Sequence, residues 1–338
     1  MTAQVLLSTY RWQPRLWMPA AVLWILFCSA AWAEPPVGKV VYDIAYGEGL
    51  ITVNSQLKSR TLMMDAYYPS SATDGYEEPL PAVIYVHGGA FHRGGRRKPP
   101  YQLGATIHSS PEDWATFLAG HGFAVFVIEY RLAPEQPIPA HRPGEQGTVG
   151  DMKALVTEED MLAFSRARLA LGLEPLDYSD ASLLLFFNAY MAAVVDAVKA
   201  VNYLVDNHAA LGIDPERIAM GGHSAGGGIT LSAGLGTDIP LKAIFPMSPP
   251  LTPFDETYLR GRSIHPPTLL TFAQYDEPAL LRTAPKVVGQ LKDLNVDYLM
   301  QWVPGYMHFY PYNTPTLGDD GQRRALGLRV VDWLDQYL

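Results

Sequence analysis

Six short apolar runs recur along this chain, and none of them alternates strictly with polar residues. They are Ala82 to Val86 in "PAVIYVHGG", the core of "GFAVFVIEY" (Gly122 to Tyr130), "RIAMGG" from Arg217, "KAIFPMS" from Lys242, "PTLLTF" from Pro267 and "DYLMQWV" from Asp297. A strand with one wet face alternates; a strand covered on both faces reads as a continuous run, so these predict a mainly parallel sheet. Helical patterns lie between them: "AYMAAVVDAVKAVNYLVDNHA", the short "AGGGITLSAGLG" and "ALLRTAPKVVGQLKDL", with "RRALGLRVVDWLDQYL" closing the chain. Earlier, "KVVYDIAYG" and "TLMMDAYYP" predict an antiparallel pair at the sheet edge. Strands alternating with helices of this length describe a doubly wound α/β fold.

One segment breaks the alternation. Residues 141–185 stand where a short connection would suffice, and they contain "TEEDMLAFSRARLALGL", a helix capped by Thr157 with acids in its first turn. A long insertion at one place in an α/β fold is expected to be a lid or a surface excursion, and a helical lid over the site is the reading adopted for 141–185.

The N-terminus has a separate character. Arg11 and Arg15 precede the uncharged "MPAAVLWILFCSAAWA", Met18 to Ala33, which ends on small residues before Glu34. A basic start, an apolar middle and a small-residue end make a secretory signal peptide over 1–33, leaving one domain over 37–338 and an exported, periplasmic or secreted product. The apolar run is shorter than a spanning helix needs, so no stable membrane anchor is expected after cleavage. The single cysteine, Cys28, leaves with the peptide, and Phe27 before it disfavours lipidation. The remaining chain would have neither disulfides nor a cysteine nucleophile, and at this size it needs no disulfide. With 48% hydrophobic and 17% charged residues it has a large core, and a net charge of -9 gives nucleic acid no footing. The nine histidines show no HExxH-type spacing, so no metal or other cofactor is expected.

The chemistry concentrates in "RIAMGGHSAGGG", a strand, then Gly222-His223-Ser224-Ala225-Gly226, then a helix. That is G-x-S-x-G in the strand–turn–helix context that gives the motif meaning. Ser224 would stand exposed at the strand's end, beside a helix N-terminus that favours developing negative charge. A serine hydroxyl needs a base, and the base needs an acid to orient it. Only His265 and His308 follow Ser224 in the chain. His265 precedes the strand that should carry the acid; His308, in "VPGYMHFY", follows the last strand. The acid belongs at the end of "PTLLTFAQYDEP", which offers Asp276, with Glu277 as the neighbouring alternative. The predicted triad is therefore Ser224, Asp276 and His308. Donors for an oxyanion are expected from the backbone of Ala225 and from "HGGAF", with Gly89 and Ala90 the predicted pair. Just beyond, "HRGGRRKPP" carries Arg93, Arg96, Arg97 and Lys98, either a solvated loop or a site for an anionic group on a substrate.

Together, "HGGAF", "YRLAPE" at Tyr130 to Glu135, "GIDPERIAMGGHSAGG", Asp276 and His308 resemble the hormone-sensitive-lipase-like group of α/β-hydrolases, the microbial carboxylesterases and lipases. The resemblance spans about Ala82 to His308 and implies an α/β-hydrolase fold and hydrolysis of a small-molecule carboxylic ester through an acyl-enzyme on Ser224. Three departures stand out. Ala90 replaces a third glycine, His223 replaces a more usual aspartate, and 248–267 is too short for the family's usual cap insertion, a role the 141–185 segment is read as taking over. Two other readings remain open at this point. One is a serine peptidase of the prolyl-oligopeptidase type, disfavoured by Ala225 where that group usually carries tyrosine; the other is an inert hydrolase fold kept as a binding module.

Overall fold

The computed structural model describes residues 37–70, 78–97, 99–103, 106–140 and 151–338. The expected signal peptide, Lys98 and the first ten residues of the 141–185 segment lie outside the described residues. In chain order the elements are β1 (Val37–Val53), β2 (Gln56–Pro69), β3 (Leu80–Val86), β4 (Tyr101–Leu103), β5 (Thr106–His108), α1 (Pro111–Gly120) and β6 (Ala124–Ile128). Next come α2 (Met152–Leu155), α3 (Glu158–Leu169), α4 (Asp180–Asp206), α5 (His208–Leu211), β7 (Ile213–His223), α6 (Ala225–Gly236) and β8 (Ala243–Met247). The chain ends with α7 (Glu256–Arg260), β9 (Thr268–Tyr275), α8 (Pro278–Asp293), β10 (Tyr298–Met307), β11 (Pro315–Gly318), β12 (Arg323–Ala325) and α9 (Leu326–Tyr337).

Ten strands form one sheet in the order β1-β2-β6-β3-β7-β8-β9-β10-β11-β12. The six apolar runs are its centre, β6-β3-β7-β8-β9-β10, and every pair among them is parallel. The edges are antiparallel: β1 on β2 and β2 on β6 at one side, β10, β11 and β12 at the other.

Both faces of the centre are dry, which is why the runs do not alternate. On β3, Ala82, Ile84 and Val86 point into a core shared with α4, α6 and α8. Val83 and Tyr85 point the other way, into a second core built on Trp114, Phe117 and Leu118 of α1 and Val330, Trp333 and Leu334 of α9. Successive side chains of a strand face opposite ways, so a strand feeding two cores must be apolar at every position.

Two boundaries differ from expectation. The long helix α4 begins at Asp180 rather than near Ala189, because Ser179 caps it by accepting from Ser182 N. Its first turns thus take up the end of the 141–185 segment. At the C-terminus, Arg323–Ala325 pairs with β11 as a strand before α9 starts at Leu326. By length and composition α4 is apolar enough to cross a membrane, but most of it is buried among the other elements, as befits a core helix.

One buried ion pair ties the layers together. Arg131, from "YRLAPE", and Asp196 of α4 are both buried. The guanidinium meets both carboxylate oxygens, with Nη2 2.7 Å from Oδ1 and Nε 2.9 Å from Oδ2. Its Nη1 donates to the carbonyls of Leu50 on β1 and Ile138, so one side chain joins the sheet edge, the loop after β6 and α4. Removing one partner of such a pair strands the other charge without water, at a cost of about 3–5 kcal/mol. Arg131→Met is expected to lower the denaturant-derived unfolding free energy by about that amount. A loss under about 1 kcal/mol in urea titration would show the pair to be dispensable.

Candidate active site

The site is built at the carboxyl ends of β3, β7, β9 and β10. At the end of β7 the chain reverses into α6 through Ser224, whose backbone sits at φ 59° and ψ -121°. A non-glycine residue with positive φ costs about 1–3 kcal/mol, so the surroundings must impose it. They do so by close approach. A Cβ on Gly226 would lie 2.0 Å from the Val86 carbonyl oxygen on β3, and one on Gly222 2.5 Å from the same atom. Ser224 N donates to the Met247 carbonyl at the end of β8 (2.8 Å), which anchors the turn from the other side. The hydroxyl is left partly exposed.

The structure brings Ser224, Asp276 and His308 together from three strand ends. His308 Nε2 is 2.9 Å from Ser224 Oγ, and its Nδ1 is 2.6 Å from Asp276 Oδ1. The carboxylate can only accept, so Nδ1 carries the proton and the Nε2 lone pair faces the serine. Burial pushes the Asp276 carboxyl up, but the bonds and charge of His308, the Ser248 hydroxyl and the Ala273 amide outweigh it and hold the group below its ordinary value. Asp276 accepts from Ser248 Oγ (2.5 Å) and Ala273 N (3.1 Å) on Oδ2, and from Glu277 N (2.9 Å) on Oδ1. Glu277 thus serves through its amide, while its side chain is exposed. His265 lies elsewhere, in the loop before β9 beside the carbonyls of Leu235 and Leu259.

Three supporting residues were not found from the sequence. Ser248, at positive φ after β8, bonds both Asp276 and the Tyr310 hydroxyl (2.9 Å). His223, the departure from the family pattern, is buried, and its Nε2 donates to the main-chain carbonyl of His308 (2.8 Å). His108 at the end of β5 packs on His223, ring centroids 4.4 Å apart. The placement of His223 beside Ser224 was a signal in hand; His108 had none, because only the fold brings it there.

The "HGGAF" loop lies against the serine. A Cβ on Gly88 would be 3.2 Å from Ser224 Cβ. Gly89, Ala90 and Phe91 follow with φ of 123°, 53° and 59°, three successive positive values. Among the described residues, no hydrogen bond engages the N–H groups of Gly89, Ala90 or Ala225, the last being a free donor at the start of α6.

In "HRGGRRKPP" the solvated-loop reading needs correction at Arg96, which is mostly covered, while Arg97 stays exposed. Both are engaged in ion pairs within the chain. Arg97 makes a two-pronged contact with the fully buried Asp65 (2.7 and 2.6 Å), and Arg96 bonds Asp65 as well and reaches Asp43 (3.0 Å). A carboxylate buried under β1 demands such pairing. Arg93 remains exposed.

A family model for the α/β-hydrolase fold matches residues 187–276, from within α4 to Asp276. Among solved structures, the apo form of Thermogutta terrifontis esterase 2 superposes with a TM-score of 0.51 at 15% identity, covering 90% of this chain and 95% of that one. The same protein phosphorylated by paraoxon gives 0.51 at 14% identity, covering 90% and 94%. A hyperthermophilic esterase from the archaeon Pyrobaculum calidifontis gives 0.48 at 20% identity, covering 81% and 78%. No curated protein matches the sequence. The chain has the α/β-hydrolase fold.

The buried histidines give the site a measurable signature. Burial pulls His108 down to about 4, against its bond with the Tyr310 carbonyl. Burial and the neighbouring His108 and His308 charges hold His223 well below the ordinary imidazole value. The unfolded chain takes up protons on these groups below pH 6.5, whereas the folded chain refuses them, so stability falls as pH drops from about 6.5 towards 4. His108→Asn is expected to narrow the stability gap between pH 7.5 and pH 5 by about 2 kcal/mol. Urea titrations at the two pH values check this; an unchanged gap would mean that His108 is not a buried neutral group.

Proposed function

We propose that this chain hydrolyses small carboxylic esters through an acyl-enzyme on Ser224. The observation that carries the reading is the unbroken line from Asp276 through His308 to a serine held at φ 59° beside donor-rich backbone. In that reading His308 Nε2 takes the Ser224 proton as Oγ attacks the ester carbonyl carbon, and Asp276 stabilises the imidazolium. The carbonyl oxygen gathers negative charge and is met by N–H groups of Gly89, Ala90 and Ala225. As the tetrahedral adduct collapses, the C–O bond to the alcohol breaks and His308 returns the proton to the leaving oxygen. Water then attacks the acyl-enzyme with His308 again as base, releasing the acid and restoring Ser224.

Likeness in fold to the Thermogutta terrifontis esterase supports the substrate class. The paraoxon adduct of the Thermogutta protein supports organophosphorus reagents as probes. The 141–185 segment is read as a cover for the site. Its α3 meets the oxyanion loop at Arg168–His92, and Arg282 of α8 bonds Asp160 (2.6 Å) and Glu159 (3.0 Å) on α3. Export with removal of residues 1–33 completes the reading, and the mass of the mature product tests it.

With p-nitrophenyl esters of increasing acyl length, the chain lacking residues 1–33 is expected to turn over and to be labelled once by an organophosphonate. Ser224→Ala is expected to lose about 10⁴-fold or more in kcat and to escape labelling. A mutant as active as its parent would remove Ser224 from the mechanism. A parent that neither turns over nor labels would leave a hydrolase fold kept for binding.

A further inference from the structure

Carbonyl orientation in the oxyanion turn is fixed one peptide at a time, and His92 takes part in two of the three holds. A peptide is planar, so holding a carbonyl on one side points the N–H of the next residue to the other. The Gly88 carbonyl meets His87 Nδ1 (2.8 Å), which sets the Gly89 N–H. The Gly89 carbonyl accepts from the amides of His92 (3.0 Å) and Arg93 (3.1 Å), which sets the Ala90 N–H. The Ala90 carbonyl meets His92 Nδ1 at 2.6 Å, the shortest contact of the three. His92 therefore grips two consecutive peptides, one by its backbone and one by its ring.

The grip needs one tautomer. A carbonyl only accepts, so Nδ1 must carry the proton, leaving Nε2 as a lone pair. Arg168 Nη1 stands 3.5 Å from that Nε2, and a guanidinium only donates. The two contacts select the same form of the ring. Burial, partly offset by the bond to Ala90, and the nearby Arg168 and Arg93 charges favour the neutral imidazole as well. Arg168 is itself held by the Glu174 carbonyl through Nε (2.6 Å), so the brace comes from α3 and the loop after it. Phe91, the third residue at positive φ, is pinned between Phe186 and Tyr190 of α4. Without such holds, two non-glycine residues at φ 53° and 59° would relax, and a relaxed turn would carry its N–H groups off the reacting oxygen.

We infer that His92, braced by Arg168 from α3, is a positioning residue that keeps the Gly89–Phe91 turn in its oxyanion-binding form, so that the inserted segment is coupled to turnover. This rests on the ester-hydrolase reading above. The partition between kcat and KM separates such a role from a merely structural one, because the turn matters to the charged transition state more than to the bound ester.

Four variants test it: His92→Phe, His92→Asn, Arg168→Met and His92→Asn with Arg168→Met. Each is assayed with p-nitrophenyl acetate, for the rate of Ser224 phosphonylation, and by thermal melt. Phenylalanine keeps the ring and loses the donor, so kcat and the labelling rate are expected to fall about 10-fold or more with KM within about threefold. Asparagine places an N–H at the position of Nδ1 and needs no arginine to choose its tautomer, so it is expected to stay within about threefold of the parent. Arg168→Met is expected to cost about 3–10-fold in kcat in the parent and less than about twofold beside His92→Asn.

His92→Phe within twofold of the parent, or an equal Arg168→Met loss in both backgrounds, overturns the inference and leaves the esterase reading intact. Should His92→Phe fail to fold, the asparagine pair decides alone. A parent that neither turns over nor labels overturns both.

Discussion

Everything at this site hangs on one close approach, that of the Ser224 turn to the end of β3. With Gly226 held so near the Val86 carbonyl, only hydrogen fits there, and with hydrogen there the turn can be tight enough to lift Ser224 out of the core. The strain in its backbone, about 1–3 kcal/mol, is small beside what the two dry cores supply. It needs only local enforcement, from the Ser224 amide on Met247 and from glycines that let strand and helix close. The same closeness brings Gly88 against Ser224, so the positions of the serine and of the "HGGAF" backbone are set by one packing event. A substitution that loosens the crossing would therefore disturb both at once.

Polar burial follows a consistent rule here: carboxylates go under cover only where donors surround them. Asp276 is buried and accepts from His308, Ser248 and two backbone amides. Asp196 has Arg131 on both oxygens, and Asp65 has two arginines. The three clusters differ in consequence. Around Asp65 and Asp196 the side-chain donors are guanidinium cations, which makes rigid struts between elements. Among the donors to Asp276 only His308 is titratable, so the carboxylate's charge is directed at that ring, as the proposed mechanism requires.

Much of this was legible in the sequence, for reasons that can be named. The strands were readable because burial on both faces removes polar residues from every position, and the elbow because a tight turn tolerates almost nothing but glycine beside the serine. Asp276 and His308 followed from their places after particular strands. The start of α4 was missed because its first turn, "DASLL", carries its signal in the Ser179 cap and not in its apolar period. The pairing of Arg96 and Arg97 was missed because a basic run looks the same whether solvated or paired, and their partners Asp43 and Asp65 lie more than thirty residues upstream. Ser248, His108 and Tyr310 were invisible for a similar reason: each acts through a neighbour that only the folded sheet supplies.

His223 shows why a departure from a family pattern is best read as a change of chemistry. Where the family more usually places an aspartate, this chain places a ring whose Nε2–H faces the main-chain carbonyl of His308. An ionised carboxylate at that spot would set acceptor against acceptor, and in a buried site it would find no donor in His308's backbone oxygen. The neutral imidazole supplies the donor without adding a charge that would compete with Asp276 for the base. His108, packed against it at a tilt and likewise held neutral by burial, keeps the surroundings free of a second cation. On the other side of Ser224, His92 makes the same kind of contact, ring N–H to backbone carbonyl, on the oxyanion turn. Neutral histidines thus hold the backbone on both flanks of Ser224, and His308, with its Nε2 directed at Ser224, is paired with a carboxylate.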